Sequence, residues 1–148
     1  MVTYRERLLP GIGILTACLL FIPATALVLT PVNSDIAWPV AIALYLIIAA
    51  ALVLMSPVVR IADGKLYAGR AAIPLADLGD IELLGADALR DVIGAKSDAR
   101  NYLVVRGWIH RGVRIEITDP TDPTPNWIIT SRKPAALADA LQAARVAA

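Results

Sequence analysis

Two long stretches without a charged residue constrain the fold of this chain more than any other feature. The first runs from Leu8 to Thr30 and the second from Ile36 to Val59, and they hold 23 and 24 residues. A helix needs roughly 20 apolar residues to cross the hydrocarbon core of a bilayer. The pattern therefore predicts two transmembrane helices, at about residues 8–30 and 36–59, with a short N-terminal tail before them.

The orientation of the two spans follows from the residues around them. The polar link between the runs, Pro31 to Asp35, is so short that it can form only a hairpin loop, so the two helices are antiparallel neighbours. Lysines and arginines near the ends of a span favour the cytoplasmic side. We therefore predict a two-span protein of the cell membrane with both termini in the cytoplasm. The basic residues that flank the runs are Arg5, Arg7, Arg60, Lys65 and Arg70.

A cleavable signal peptide is an alternative for the first run. Basic residues, an apolar stretch and the small residues Ala24-Thr25-Ala26 have the outline of one. The run is long for the apolar region of a signal peptide and continues past that point, so we favour an uncleaved span. After cleavage the second run would still act as a stop-transfer segment.

The two spans carry little chemistry of their own. Neither contains an ionisable side chain of the kind that marks a transport pathway, so we expect an anchor or docking surface and not a pore. Pro23 predicts a kink in the first span. Tyr4 and Trp38 are placed as anchors at the membrane interface.

After the second run, charged residues appear at the density of a globular domain. Asp63-Gly64 stands between two short apolar runs, which indicates a β-hairpin. Residues 113–117 alternate between apolar and polar, as a half-buried strand does. Pro134 begins a stretch with a regular apolar stripe, which predicts a C-terminal amphipathic helix. Residues 60–148 therefore predict a small antiparallel β domain of about seven strands closed by that helix, and the whole chain an α+β membrane protein.

A set of residues in fixed order carries a resemblance to known proteins. The segment VRIADGKLYAGRAAIPL follows the paired runs, and YLVVRGWIHRGVRIEITDPTDPTPNWIITSRKPAALADAL follows later. Together they resemble a family of small actinobacterial membrane proteins of unknown function over nearly the whole chain. The C-terminal part is also similar, at the level of the fold, to bacterial pleckstrin-homology-like (PH-like) domains, which implies a PH-like β domain and no known activity. The most specific markers are Arg106, Trp108, Val113–Pro120, Asp122–Pro125, Trp127, Arg132 and Pro134.

The densest group of candidate binding residues is the stretch RGWIHRGVR, residues 106–114. The strands predicted beside it, 101–109 and 112–118, make it the tip of a tight hairpin. Basic groups near a membrane are attracted to anionic lipids, and tryptophan favours the interface, so the stretch predicts a site for anionic lipid headgroups. The alternative is a solvated tip whose arginines pair with nearby carboxylates. The candidate residues are Arg106, Trp108, His110, Arg111 and Arg114.

Other kinds of site are weakly represented. The segment DPTDPTPNW offers carboxylate oxygens, but a calcium loop needs more carboxylates and a glycine, and successive turns explain the segment better. The single histidine and the single cysteine, which lies in an apolar run, cannot form a nucleophile with its base. A nucleic-acid surface normally leaves a domain strongly positive, and the net charge here is +1. We predict no catalytic residue, metal ligand, cofactor or nucleic-acid partner.

These features favour a non-catalytic binding or scaffold module at the cytoplasmic face of the membrane. Its ligand would be an anionic lipid headgroup or a protein. The alternative is a structural accessory subunit, whose spans pack against another membrane protein or a second copy of the chain while the β domain braces the assembly. Binding to anionic but not neutral lipid would favour the first interpretation.

Overall fold

The computed structural model describes residues 2–147, which divide into two compact units. The helical unit comprises residues 9–56, and the β unit combines the residues up to Leu8 with those from Pro57 onward. The helical unit contains α1 (Ile12–Cys18), α2 (Phe21–Leu29) and α3 (Ser34–Leu54).

The helical unit is a hairpin in which α2 packs antiparallel to α3. Ile12–Leu29 and Ser34–Leu54 hold 18 and 21 residues and are long and apolar enough to cross a membrane. At 1.5 Å per residue they extend about 27 Å and about 32 Å, close to the thickness of the hydrocarbon core. Asn33 is the N-cap of α3, and its side chain accepts a 3.0 Å hydrogen bond from the Asp35 N–H.

The first helix is interrupted one turn before Pro23. In a regular helix the ring of Pro23 would collide with the carbonyl of Leu19. Proline also has no backbone N–H to donate to that carbonyl. The chain responds with tighter bonds between residues three apart, from Leu19 N–H to the Thr16 oxygen at 3.1 Å and from Leu20 N–H to the Ala17 oxygen at 3.2 Å. The helix is thus interrupted in the region where Pro23 predicts a kink.

Both helices are shorter than the uncharged runs that predict them. The first begins at Ile12 and not near residue 8, because the chain before it belongs to a strand and its exit. The second ends at Leu54 and not at residue 59. Pro57 follows closely and disfavours a helical residue before it, and Val58 already pairs in a sheet.

The β unit contains two four-stranded sheets. The N-terminal sheet has the order β1-β2-β3-β4 and is antiparallel throughout. The C-terminal sheet has the order β5-β7-β8-β6. A short 3-10 helix, Leu75–Asp77, joins the sheets, α4 (Ala86–Ile93) follows β5, and α5 (Pro134–Val146) ends the chain. The strands are β1 (Val2–Arg7), β2 (Val58–Ala62), β3 (Lys65–Ala68), β4 (Ala71–Pro74), β5 (Leu78–Leu84), β6 (Tyr102–Val104), β7 (Gly112–Ile117) and β8 (Asn126–Thr130).

The segment before the first helix is β1, an edge strand of the N-terminal sheet, whereas the sequence assigned it to a tail. Leu8, directly after it, is fully buried in the core of the β unit. The strand that pairs with β1 is β2, about 50 residues further along the chain, so no local sequence pattern indicates the pairing. Tyr4 is correspondingly half-buried against the core and hydrogen-bonded within the β unit.

The C-terminal sheet departs from the antiparallel arrangement at one edge. Strand β6 pairs in parallel with β8, while β7 pairs antiparallel with both β5 and β8. The hairpin predicted between residues 101–109 and 112–118 is therefore wrong, because β8 lies between those strands. Residues 105–111 are instead a connection from β6 to β7 that passes the end of β8.

The larger hydrophobic core is formed by the inward side chains of both sheets and of α5, and a smaller cluster consists of Leu84, Leu89 and Ile128. The alternation predicted for β7 is confirmed, since Val113, Ile115 and Ile117 are buried and the residues between them are exposed. The hairpin at Asp63-Gly64 is also confirmed, with φ angles of 52° and 71° that suit an Asp-Gly turn. Contributors from the C-terminal end include Trp127, Ile129, Leu137 and Leu141.

Candidate functional site

The connection between β6 and β7 carries four of the five candidate binding residues. Ile109 is buried and holds this segment to the core, and its N–H donates to the Arg106 oxygen at 3.0 Å. Trp108 is half-buried against the same core. The guanidinium carbon of Arg106 lies 5.9 Å from the centre of the Trp108 ring, within the range of a cation–π contact.

A surface depression of about 340 Å³ opens beside Trp108, and we call it the Trp108 depression. The Arg111 oxygen accepts a 3.0 Å hydrogen bond from the Ser131 N–H, which brings the connection beside the start of α5 and adds Arg132 to the site. The lining contains three groups that can carry positive charge and no carboxylate. It consists of Trp108, Ile109, His110, Arg111 and Arg132.

The side chains of His110 and Arg111 are exposed. Within residues 2–147 neither side chain forms a hydrogen bond or an ion pair. Both are therefore available to a ligand. The Trp108 indole N–H is buried and has no hydrogen-bond partner among the described residues. A buried donor without a partner costs free energy, so the described residues leave this indole N–H unsatisfied.

Arg114 does not belong to this group. It lies on the outer face of β7 opposite Glu82 of β5 and forms an ion pair with that carboxylate. It lines a separate depression of about 900 Å³ that also contains Asp80 and Glu116. The structure thus brings Trp108, His110 and Arg111 together and places Arg114 in a surface of mixed charge.

Arg132 is the member of the site that the sequence interpretation missed. Its position is fixed by Glu6 of β1, whose carboxylate accepts from the Arg132 N–H at 2.8 Å and from the Ser131 hydroxyl at 2.6 Å. The Tyr4 hydroxyl donates to the same carboxylate at 2.9 Å. The only signal in the sequence was the R-x-P order before α5.

The tyrosine in this network is electrostatically perturbed. Partial burial, followed by the hydrogen bond to the Glu6 carboxylate, raises the pKa of Tyr4 to about 12. Both effects disfavour a phenolate, the first by desolvation and the second because the phenol must donate its proton to the carboxylate. Tyr4 is therefore a neutral donor at physiological pH.

The segment from Asp119 to Trp127 behaves as a pair of turns. The Asp119 carboxylate accepts from the N–H of Thr121 at 2.8 Å and from its hydroxyl at 2.6 Å, and the Asp122 carboxylate accepts from the Thr124 N–H at 2.8 Å. Bonds from aspartate to the backbone two residues on are those of Asx turns, so the turn interpretation is confirmed. The bonds from Thr121 also lower the pKa of Asp119.

Comparison with known proteins places this architecture in a family. The family model DUF3093, described as a protein of unknown function, matches residues 3–141 and so covers both units. No curated protein and no solved structure matches the chain significantly. Because the match spans nearly the whole sequence, the chain belongs to the DUF3093 family.

Proposed function

We propose that this DUF3093 protein is a non-catalytic binding module, anchored in the cell membrane by two spans. Its β unit lies on the cytoplasmic side and binds a phosphate-bearing ligand in the Trp108 depression. The observation that carries the proposal is the convergence of Trp108, His110, Arg111 and Arg132 on one depression without a carboxylate.

Anchorage is supported by the exposure of the two apolar helices. Only 11% of the residues in each apolar window are buried within the described chain, whereas a core helix of a soluble protein would be mostly buried. The apolar surface therefore needs another environment, and lipid supplies it. The arginines beside the runs, with none in the hairpin link, support cytoplasmic termini.

Phosphate recognition is supported by the chemistry of the lining. The planar guanidinium of arginine presents paired N–H groups that match phosphate oxygens, and charge-assisted bonds of this kind are strong. Glu6 approaches the same segment, but its carboxylate is occupied by the Tyr4, Ser131 and Arg132 donors. The polar lining groups are basic and lie beside an aromatic ring, which favours the binding of an anion.

The earlier resemblance to PH-like domains adds to the proposal at the level of architecture. The final strand, the R-x-P turn and the C-terminal helix fit that resemblance, while the parallel pair of β6 and β8 departs from an antiparallel domain, and a PH-like fold stays a prediction. The resemblance to actinobacterial membrane proteins stays a prediction.

The test uses the full chain in lipid discs of neutral phosphatidylcholine, titrated with glycerol 3-phosphate and followed by tryptophan fluorescence. We expect a saturable change, and we expect Arg111→Gln with Arg132→Gln to weaken the affinity at least about ten-fold, since each change removes a charge-assisted bond. The matched control is Lys96→Gln with Arg100→Gln, which removes the same charge from two surface ion pairs.

Equal weakening by both pairs of substitutions, or no saturable change, would contradict the proposal. Discs that contain phosphatidic acid distinguish the source of the phosphate, because a lipid headgroup already in the depression abolishes the response to glycerol 3-phosphate. Recovery of a stoichiometric larger complex, or of a self-associated chain, from mild detergent would instead favour the accessory-subunit alternative.

A further inference from the structure

A second basic surface lies at one end of the N-terminal sheet. Leu8, which follows β1, donates its N–H to the Pro57 oxygen at 3.0 Å, and Pro57 precedes β2. The two connections to the helical unit therefore leave the β unit from adjacent points at this end of the sheet. Arg7 directly precedes the first uncharged run, and Arg60 directly follows the second.

Arg5 of β1 and Arg60 of β2 are direct cross-strand partners on the outer face of this sheet. Both are exposed, and they line a depression of about 370 Å³ with Tyr67 of β3. The Arg60 guanidinium carbon lies 4.3 Å from the centre of the Tyr67 ring. Like charges directly opposite one another on a sheet repel, so the pair is unfavourable unless an anion lies beside it.

Two more arginines extend the surface toward the connections. Arg7 pairs in register with Val58, and Arg70 lies in the turn between β3 and β4. The preceding Gly69 donates its N–H to the Val58 oxygen at 3.1 Å, so the turn lies at the same end of the sheet. We call the group the Arg5/Arg60 surface; it consists of Arg5, Arg7, Arg60, Tyr67 and Arg70.

The four strands of this sheet contribute little negative charge to the surface. Glu6 is their only acidic residue, and because side chains alternate along a strand it points away from Arg5 to the opposite face. There its carboxylate is bound to Ser131 and Arg132. Asp63, in the turn between β2 and β3, is the next carboxylate, and Arg60 is the last of the charges that lower its pKa, so it offsets the surface only weakly.

We propose that the Arg5/Arg60 surface binds the anionic phospholipid headgroups of the bilayer that holds the two spans. The inference rests on the proposed anchorage but not on the Trp108 depression. Basic residues beside a span are attracted to an anionic leaflet, guanidinium groups bond phosphate oxygens, and tyrosine favours the interface. Contact with headgroups at this surface brings the outer face of the N-terminal sheet close to anionic lipid.

The test places a fluorescent donor on the full chain in lipid discs. Ala72 is exposed and is the cross-strand partner of Tyr67, so Ala72→Cys in a Cys18→Ala background reports on the outer face of the sheet. Energy transfer is measured to an acceptor attached to lipid headgroups, in phosphatidylcholine alone and with about one-third phosphatidylglycerol. We expect transfer to rise with the anionic lipid and to fall again at about 1 M salt, where the screening length is only about 3 Å.

Substitutions test whether the rise in energy transfer depends on the Arg5/Arg60 surface or on the total charge of the chain. Arg5→Gln with Arg60→Gln is expected to reduce the rise at least about five-fold, whereas Arg5→Lys with Arg60→Lys retains most of it. Lys96→Gln with Arg100→Gln removes the same charge elsewhere and is expected to leave the rise intact.

Three results would overturn or redirect the inference. Equal transfer in the two lipid mixtures, or an equal loss in both glutamine pairs, rejects the Arg5/Arg60 surface while leaving anchorage and the Trp108 depression standing. Loss of the chain from the discs rejects the anchorage itself. If the Arg5 and Arg60 glutamine variant does not fold, the salt response of the parent chain and the lysine pair decide the matter.

Discussion

The carboxylate of Glu6 accepts a 2.8 Å hydrogen bond from the backbone N–H of Arg132, 126 residues further along the chain. The same carboxylate holds the Ser131 hydroxyl, whose oxygen in turn accepts from the Lys133 N–H at 3.0 Å. The first strand therefore holds the start of α5 in place and positions one wall of the Trp108 depression. The N-terminal segment is an integral part of the β unit.

Replacement of Glu6 by alanine is expected to lower the free energy of unfolding of the β unit by about 2 kcal/mol, since hydrogen bonds to charged groups contribute about 1.5–3 kcal/mol. Thermal unfolding of the full chain in neutral detergent measures the change. Asp87→Ala is the control, because the Asp87 side chain is 97% exposed in a surface ion pair and its loss should cost less than about 0.5 kcal/mol. Similar effects of the two substitutions would contradict the role of Glu6.

The β unit is expected to fold without the spans if both of its parts are kept. A chain that joins Leu8 to Pro57 through about three glycine or serine residues closes a gap between two residues already bonded at 3.0 Å. A fragment that begins at residue 60 lacks β1, the buried Leu8 and the first two residues of β2, and it should aggregate or remain unfolded. Circular dichroism and cooperative thermal unfolding compare the two, and a well-folded fragment from residue 60 would show that β1 is dispensable.

Gly107, in the connection between β6 and β7, and Gly112, the first residue of β7, should respond differently to alanine. A Cβ at Gly112 would overlap the Ile129 carbonyl oxygen, which belongs to the backbone and cannot move aside, whereas a Cβ at Gly107 meets nothing within 4 Å. Gly112→Ala should therefore cost about 3 kcal/mol or more, as overpacking does, and Gly107→Ala should stay within about 0.5 kcal/mol of the parent. Thermal unfolding distinguishes them; a tolerated Gly112→Ala would contradict the close approach of β7 and β8.

Stability at alkaline pH should depend on Tyr4. Its pKa is about 12 in the folded chain against an ordinary value of 10.0, so the folded state holds this proton more tightly than the unfolded state does. The resulting stabilisation is complete below about pH 10 and is lost as pH rises toward about 12. The difference in melting temperature between the parent and Tyr4→Phe should therefore shrink as pH rises through that window. A constant difference would show that the hydroxyl titrates normally.

The elements predictable from the sequence are those whose signal is local. The spans, the turn at Asp63-Gly64, the alternation in β7 and the proline at the start of α5 each follow from a few neighbouring residues. The interruption before Pro23 is of the same kind, because the missing N–H and the ring act within one helical turn.

The elements that escaped prediction depend on contacts between distant residues. In β1 the inward positions include Tyr4 and Glu6, so the strand lacks the apolar alternation that marks a half-buried strand. Its polar inward groups are accommodated by Ser131 and Arg132 from the other end of the chain. The parallel pairing of β6 with β8 could not be predicted either, because it depends on the position of β8 between β6 and β7 in the sheet.

The candidate site was predicted in part for the same reason. Trp108, His110 and Arg111 lie close together in sequence and also in space. Arg114 follows them in sequence, but strand alternation turns it to the outer face of β7, where it meets Glu82. The local sequence therefore indicated the grouping of Trp108, His110 and Arg111, whereas the position of Arg114 depends on its strand in the sheet.

Cysteine accessibility in whole cells tests the two-span topology most directly. In a Cys18→Ala background, Ser34→Cys places a thiol at the first residue of α3, beside the turn between α2 and α3, and Ser97→Cys places one on the exposed segment after α4. A maleimide that cannot cross membranes should label residue 34 in intact cells and residue 97 only after lysis. Labelling of residue 97 from outside, or recovery of the unmodified chain in the soluble fraction without detergent, would contradict a cytoplasmic β unit held by two transmembrane helices.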